Sequence, residues 1–373
     1  MRTDAIIETL TRAGYEAYYV GGCVRDTLLG REIHDWDVAT SAHPEQVLAL
    51  FDHCVPTGIQ HGTVTVFCGD VSAEVTTYRC DGAYHDGRHP DAVRFVRTLR
   101  EDLARRDFTV NAMAMDLNGQ ITDPFGGRDD LARSVIRCVG DADTRFHEDA
   151  LRMLRAYRFS AQLGFRIEAE TAAAAARCAA LAAALSRERV RDEAEKTLLS
   201  LRPENFGVLM QLGLLRACGL TGEGDFSRLA VFPATPEARW TGVKLACPAF
   251  DPAAFRLPAK LCRLIALTAE TWREGRTQLA WKQLIAQSGL QTAQLQAAMQ
   301  HSDAVDAIVR SGDCVMLRDL AVTGADLPQL RGKAVGQTLQ TLLFYVLEHP
   351  EANTRAVLLA RAAALRAESE NNS

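Results

Sequence analysis

Two aspartates, Asp35 and Asp37, follow a pair of glycines in the stretch VGGCVRDTLLGREIHDWDV that begins at Val20. Carboxylates two positions apart on an extended strand point to the same face of the sheet, where they can share divalent cations. Such a pair suits a phosphoryl transfer with two metal ions, because one ion activates the attacking hydroxyl and the other neutralises the triphosphate and its leaving pyrophosphate. An Asp-x-Asp pair on its own is also common on protein surfaces.

The glycines are Gly21 and Gly22, which close a β-like run and precede a segment with the apolar spacing of a helix. Backbone N–H groups at such a turn can bind phosphate, and Arg25 adds a side-chain donor beside them. Two glycines here are equally typical of an ordinary strand-to-helix turn. Their position upstream of the two aspartates favours the phosphate-binding interpretation.

The elements that must hold these residues are of two kinds. Up to about residue 140, short alternating segments such as HGTVTVFCG, SAEVTTYR and TVNAMAMD predict strands between turns. From Asp143 onward, stretches such as EDALRMLRAYRFSAQLGF predict helices almost throughout. Pro and Gly cluster between Leu220 and Pro252, which indicates loops or a boundary between helical subdomains. The fold class that follows is α+β.

Composition limits the class of protein further. A chain of 373 residues is expected to form two or more domains, and 47% apolar with 24% charged residues is typical of a folded protein. The net charge of -5 argues against a protein that coats nucleic acid through bulk charge. Ten scattered cysteines without a CxxC spacing indicate reduced thiols. No window is apolar enough to span a membrane, so we expect a cytoplasmic protein without membrane partners.

Several sequence segments together resemble a known protein family. GGCVRD followed by DWD resembles the signature of the polymerase β type nucleotidyltransferases. HGTVTV, EVTTYR, RRDFTVNAMAMD, DPFGGRDDL and EDALRMLRAYRFSAQLGF follow in the order and at the spacing of class II CCA-adding enzymes and the related bacterial poly(A) polymerases. The resemblance, densest over residues 15–200, implies a polymerase β-like head with a mixed β-sheet over residues 1–140. All-α domains are expected to follow: a base-recognising neck (141–200), a body (201–270) and a tRNA-binding tail (271–373).

The resemblance also implies roles for single residues. Asp35 and Asp37 match the metal-binding carboxylates, which would hold two Mg²⁺ ions, and Glu74 in EVTT is the third catalytic acid. A strand-face carboxylate paired with a nearby cation is the alternative for Glu74. The candidate nucleotide-binding residues are Gly21, Gly22, Arg25, Arg106, Asp149, Arg152, Arg155 and Arg158.

Base selection would depend on the predicted helix Glu148–Phe159, where Asp149, Arg152, Arg155 and Arg158 recur every three residues. A solvated salt-bridge face would have the same spacing. The resemblance makes Asp149 an acceptor and Arg152 a donor, which suits the amine and unprotonated ring nitrogen of cytosine and adenine. Uracil and guanine present the opposite pattern. Arg155 and Arg158 would also reach the nucleotide, since the fixed donor fork of arginine suits a triphosphate.

The implied activity is the template-independent addition of C, C and A to the 3′ end of tRNA from CTP and ATP, with release of pyrophosphate. The enzyme would hold the acceptor and T arms of the tRNA. The segment Asp81–Val93 resembles the flexible loop of full CCA-adding and A-adding members, although an exposed hairpin tip would look alike. An A-adding enzyme or a poly(A) polymerase of the same family remains the alternative. A silent RNA-binding protein is disfavoured, because the paired aspartates are retained together with Asp149 and Arg152.

Overall fold

The protein is described by a computed structural model that covers residues 3–69, 71–81 and 93–371. The chain divides into two compact units, Met1–Glu223 and Gly224–Ser373. This division falls inside the stretch where Pro and Gly cluster, as the sequence indicates. The finer division into head, neck, body and tail stays a prediction, and most of the segment that resembles the flexible loop lies outside the described residues.

The first unit contains all the strands of the described residues. They are β1 (Ala17–Val20), β2 (Trp36–Thr40), β3 (Cys54–Gly58), β4 (Thr63–Cys68), β5 (Val71–Thr77), β6 (Arg79–Asp81), β7 (Val93–Phe95), β8 (Ala114–Met115), β9 (Ile121–Thr122), β10 (Val135–Ile136) and β11 (Arg166–Ile167). Seven of them form one sheet in the order β3-β4-β5-β2-β1-β8-β9. Within it β2 and β5 are parallel, while the other neighbours are antiparallel. The predicted mixed sheet is therefore confirmed.

Two local features differ from the sequence-based expectation. The TVNAMAMD segment begins with a 3₁₀ turn, Thr109–Asn111, and only Ala114–Met115 forms a strand. The strand β11 lies beyond residue 140, where the pattern indicated helices, and it pairs in parallel with β10. Both strands have two residues, which is too short for an alternating pattern to show in the sequence.

The remaining elements are helices. Those of the first unit are α1 (Asp4–Arg12), α2 (Gly22–Leu28), α3 (Pro44–Leu50), α4 (Leu99–Ala104), α5 (Gly127–Ala132), α6 (Ala142–Glu148), α7 (Leu151–Leu163), α8 (Ala169–Cys178), α9 (Arg187–Leu198) and α10 (Asn205–Gln211). Those of the second unit are α11 (Pro236–Ala246), α12 (Ala259–Glu270), α13 (Gln278–Ser288), α14 (Leu290–Met299), α15 (Ala304–Ser311), α16 (Lys333–Glu348) and α17 (Arg355–Asn371). None of the helices described is both long and apolar enough to cross a membrane.

The register of the central strands determines which side chains share a face of the sheet. Along β2 and β5, Asp37 lies opposite Glu74 and Val38 lies opposite Val75. Both valines are fully buried in the core of the unit. Because side chains alternate along a strand, the two acids occupy the other face, away from that core.

The second unit has its own apolar core, formed where α13 to α17 pack together. Its fully or almost fully buried members include Trp281, Leu284, Ile285, Leu342, Leu343 and Val346. All ten cysteines of the chain are free thiols, as their spacing predicts.

Candidate active site

A cavity of about 670 Å³ opens on the face of the sheet that carries Asp37 and Glu74. This volume lies within the range of pockets that bind small ligands. Most of the residues predicted for the site line it. These are Gly21, Gly22, Arg25, Asp37, Glu74, Arg106, Asp149, Arg152 and Arg155.

Asp37 is the half-buried acid at the centre of the cavity. Burial raises the pKa of Asp37 to about 6, and the negative charges of Glu74 and Asp35 act in the same direction, while the charge of Arg106 opposes them. A carboxylate with this surplus of negative charge around it is stabilised in its ionised form when a cation binds nearby. The carboxylates therefore form an anionic centre suited to a cation.

Asp35 is placed differently from the prediction. The strand β2 begins at Trp36, so Asp35 precedes it and does not alternate with Asp37 along a regular strand. Its side chain is exposed and does not line the cavity, although its charge still raises the pKa of Asp37. The second acid of the cavity wall is instead Glu74, which the parallel register puts beside Asp37.

Gly21 occupies the tightest position in the cavity wall. Its φ of 75° lies in the region that favours glycine. A Cβ atom at Gly21 would lie 2.9 Å from Nη1 of Arg106 and 3.3 Å from Oδ2 of Asp37. The absence of a side chain here therefore lets the arginine and the aspartate approach the turn closely. The first residue of α2, Gly22, also lines the cavity.

Two arginines of the wall, Arg105 and Arg106, are anchored on one carboxylate. The helix α4 starts at a capping box in which the Thr98 hydroxyl accepts the N–H of Glu101. One helical turn later, Asp102 accepts a hydrogen bond from Nε of Arg105 at 3.0 Å and one from Nη2 of Arg106 at 3.3 Å. Asp102 is 1% exposed, so it lies beneath the surface of the cavity and binds both guanidinium groups there.

A second ionic network connects the segment after α4 to α2 and α7. Asp107 accepts a hydrogen bond from Nε of Arg155 at 2.8 Å and one from Nδ2 of Asn111 at 3.2 Å. Burial by itself raises the pKa of Asp107. The charge of Arg155 and the hydrogen bonds from Arg155, Asn111 and the N–H of Phe108 lower the pKa to about 2. Asn111 in turn accepts a 2.7 Å hydrogen bond from Nη1 of Arg25. The network fixes two predicted nucleotide-binding arginines.

Asp149 and Arg152 both line the cavity, but they are not successive positions of one helix. Asp149 lies between α6 and α7 in an extended conformation, and its Oδ1 accepts the N–H of Leu151 at 3.0 Å. Its Oδ2 accepts a 2.8 Å hydrogen bond from Nη2 of Arg189 on α9. Arg152 donates to the carboxylate of Glu148 and to the carbonyl of Arg145. Each side chain is thus held by its own partners.

Arg158 lies outside the cavity wall, in contrast to the prediction that it reaches the nucleotide. Its side chain is buried, and its Nε donates to Oε2 of Glu193 on α9 at 2.5 Å. Its guanidinium also lies 3.8 Å from the ring centroid of Phe159. These contacts make Arg158 a residue that joins α7 to α9.

Several wall residues escaped the sequence-based prediction. Arg105, Asp107 and Asn111 belong to the RRDFTVNA motif, of which only Arg106 was predicted as a ligand. Within that motif, Arg106 pairs with Asp102 and Asp107 pairs with Arg155, so neither charge is paired with its neighbour in sequence. Arg189 gave no signal apart from its charge, because Asp149 is distant in sequence.

Nε of Arg106 and Nη1 of Arg189 are buried donors of the wall without a hydrogen-bond partner in the part of the chain that the structure describes. Buried donors without a partner cost free energy, and this cost disappears when a ligand supplies an acceptor. The cavity is therefore prepared for polar, acceptor-rich ligands such as phosphates and bases.

The chain is similar to known proteins in both sequence and structure. Residues 17–137 match the model of the Poly A polymerase head domain, and residues 164–218 match that of the Probable RNA and SrmB- binding site of polymerase A. The CCA-adding enzyme of Lactiplantibacillus plantarum is 55% identical over 198 residues, which are 53% of this chain and 49% of that protein. Matches to the first curated relatives thus span about half of their length.

Longer matches cover nearly the whole chain. The CCA-adding enzyme of Limosilactobacillus fermentum is 38% identical over 390 residues, covering 96% of each chain. The solved structure of the Bacillus stearothermophilus CCA-adding enzyme in complex with CTP superposes with a TM-score of 0.86 at 34% identity, covering 100% of this chain and 98% of that one. With the cavity and its carboxylates described above, these matches show that the chain belongs to the family of CCA-adding enzymes.

Proposed function

We propose that this protein adds C, C and A to the 3′ end of tRNA, using CTP and ATP and releasing pyrophosphate. The observation that carries the proposal is the cavity in which the carboxylates of Asp37 and Glu74 face a wall of arginines. Two relatives support the proposal. The Limosilactobacillus fermentum protein, matched over 96% of its length, is a CCA-adding enzyme, and the solved structure from Bacillus stearothermophilus is a CCA-adding enzyme in complex with CTP.

The proposed reaction is a nucleotidyl transfer. The 3′-hydroxyl oxygen of the RNA attacks the α-phosphorus of the nucleoside triphosphate, and the bond from that phosphorus to the bridging oxygen breaks as pyrophosphate leaves. The proton of the hydroxyl passes to the carboxylate of Asp37. Arg25, Arg106 and Arg155 offset the charge of the triphosphate, which is the main requirement of phosphoryl transfer.

The carboxylates fit divalent cations, and we expect two Mg²⁺ ions with Asp37 and Glu74 as protein ligands and Asp35 close by. No group of three His, Cys, Asp or Glu side chains at ligand spacing occurs among the described residues. Mg²⁺ does not need such a group, because it keeps several waters and binds one or two carboxylates together with substrate phosphates. When bound, the ions supply charge neutralisation and lower the pKa of the attacking hydroxyl.

Base selection is assigned to Asp149 and Arg152. Oδ2 of Asp149 can accept from the exocyclic amine of cytosine or adenine, and Arg152 donates to the ring nitrogen beside it. Uracil or guanine would place a carbonyl oxygen against the carboxylate and a ring N–H against the guanidinium, at a cost on the order of 1–3 kcal/mol per mismatched group. Arg189 holds Asp149 in place for this task.

The proposal further assigns the tRNA to the helical domains, as in the sequence-based division into neck, body and tail. These domains would hold the acceptor and T arms mainly by shape and backbone contacts, as is usual for RNA helices. The match to an RNA-binding region of polymerase A over residues 164–218 supports this assignment.

The proposal is tested by incorporation assays on three tRNA transcripts that end before the first C, after the first C and after the second C. With Mg²⁺ and each NTP separately and in mixture, we expect C, C and one A to be added, with UTP and GTP rejected. Extension only of the transcript that ends in CC would show an A-adding enzyme. Long A tracts on any RNA would show a poly(A) polymerase.

The role of the carboxylate is tested by Asp37→Ala. Incorporation should be abolished while tRNA binding stays close to that of the wild type, because the substitution removes only the anionic centre. The matched control is Asp35→Ala, whose exposed carboxylate lies outside the cavity wall and should reduce the rate much less. Equal loss in both variants would show that Asp35 is a ligand after all, and unchanged incorporation by Asp37→Ala would exclude the assigned centre.

A further inference from the structure

A pair of threonine hydroxyls lies on the cavity face of the sheet, next to the carboxylates. Thr63 of β4 lies opposite Thr76 of β5, and their Oγ1 atoms are 3.0 Å apart. Thr76 is two residues beyond Glu74 on the same strand, so its side chain points to the same face. Both threonines line the cavity and are half-buried.

The hydroxyl pair and the glycine turn lie on opposite sides of the carboxylates. The strand β1 runs antiparallel to β2, with Tyr19 opposite Val38, so the turn at Gly21 lies beside the beginning of β2. Thr76 is paired with Ala39, towards the other end of β2. The row formed by Asp37 and Glu74 therefore separates the phosphate-binding turn from the threonines.

This arrangement matches the geometry of an in-line displacement. The attacking oxygen and the leaving pyrophosphate must approach the α-phosphorus from opposite sides. If the triphosphate lies towards Gly21 and the arginines around it, the attacking end of the RNA lies towards Thr63 and Thr76. Glu74 and Thr76 are two residues apart on β5, so a rise of about 3.3 Å per residue separates the carboxylates from the threonine pair by roughly 6.6 Å. This distance leaves room for one ribose.

We infer that Thr63, Thr76 and Arg79 form the subsite for the 3′-terminal nucleotide of the acceptor RNA. The hydroxyl pair binds the 2′-hydroxyl of the terminal ribose, because one hydroxyl of the pair keeps a free donor and the other a free acceptor site. Arg79, which follows β5 and lines the same end of the cavity, contacts the phosphate on the 5′ side of that ribose. The inference rests on the proposed function and names the contacts of its second substrate.

The test compares two acceptors, tRNAs that lack CCA and end either in a ribose or in a 2′-deoxyribose. The wild-type protein should use the ribose-ended tRNA about 2- to 10-fold more efficiently in kcat/KM, as expected for one hydrogen bond. Thr63→Val and Thr76→Val keep the shape of the side chain but remove the hydroxyl, so in both variants this preference should fall towards 1. The KM for CTP should not change.

The matched control is Thr65→Val. Thr65 lies on the same strand and face as Thr63, and its hydroxyl is also paired, with that of Thr57 at 2.8 Å, but neither residue lines the cavity. This variant should keep the wild-type preference for the ribose-ended tRNA. Arg79→Gln should raise the KM for tRNA roughly tenfold and leave that for CTP unchanged.

The outcomes separate this inference from the proposed function. A wild-type protein that adds C, C and A but uses both acceptors equally would overturn the subsite and leave the function intact. The same holds if Thr63→Val and Thr76→Val, folded by their melting curves, retain the wild-type preference. Failure of the wild-type protein to extend any tRNA would overturn the proposed function, and the subsite with it.

Discussion

Substituting Gly21 by alanine tests how the glycine turn organises the cavity. The turn holds Gly21 at a φ of 75° and a ψ of -134°, a region that residues with a side chain rarely adopt. Such conformations cost on the order of 1–3 kcal/mol for other residues. The added Cβ would also lie 2.9 Å from Nη1 of Arg106, closer than carbon and nitrogen atoms normally approach. The substitution therefore strains the backbone and displaces Arg106, which we propose binds the nucleotide.

Both effects have a measurable magnitude. A loss of about 2 kcal/mol in a unit of this size lowers the melting temperature by roughly 4–8 °C, which calorimetry detects. If Arg106 binds the triphosphate as proposed, displacing its guanidinium removes a charged hydrogen bond, and this should lower kcat/KM for CTP by roughly 10- to 100-fold. Steady-state incorporation on a tRNA that lacks CCA measures the second effect.

The control is Gly22→Ala, in the same turn. Gly22 does not have a positive φ, and a Cβ there would lie 3.6 Å from Nη2 of Arg25, an ordinary contact distance. Alanine at this first residue of α2 should leave the melting temperature within about 1 °C of the wild type or raise it, because alanine favours helices. Equal effects of the two substitutions on melting temperature and on kcat/KM would refute the assigned role of Gly21.

Three further perturbations probe the partners of the arginines. The pKa of Asp107 falls to about 2 in the folded state, so the ionised carboxylate stabilises the fold by about 2 kcal/mol above pH 4. This contribution disappears as the pH falls towards 2. The difference in unfolding free energy between the wild type and Asp107→Asn should therefore shrink between pH 4 and pH 2. Asp102→Asn should raise the KM for CTP roughly tenfold, and a double-mutant cycle with Arg106→Gln should be non-additive if Asp102 acts through that arginine. Arg189→Gln should remove the guanidinium that binds Oδ2 of Asp149 and increase misincorporation of U, as sequencing of products would show.

Local sequence rules identified residues that the fold brings together. The glycine turn, Asp37 and most of the arginines were identified from the motif, and all of them line one cavity. Asp35 differs because alternation holds only within a strand, and the residue at which a strand begins depends on pairing with its neighbours. The prominence of Glu74 in the cavity comes from the parallel register of β5 with β2, which no local pattern encodes.

The residues that recur every three positions from Asp149 to Arg158 show a second limit of prediction. A spacing of three residues drifts around a helix of 3.6 residues per turn, so Arg158 lies roughly 120° away from Arg152 around α7. That drift carries Arg158 towards α9, where Glu193 binds it. Asp149 precedes the helix altogether, and its position depends on the N–H of Leu151 and on Arg189. Tertiary partners of this kind cannot be inferred from spacing alone.

The parallel pairing of β2 and β5 also has a consequence for how the site assembles during folding. Parallel neighbours cannot be joined by a tight hairpin, so the chain between them crosses over and contributes α3, β3 and β4 on its way. The pairing of Asp37 with Glu74 is therefore non-local, and it forms only after the intervening chain has closed the loop between the two strands. We expect a chain that has not yet paired β2 with β5 to lack the anionic centre, so the proposed chemistry on RNA would begin only when the sheet is complete.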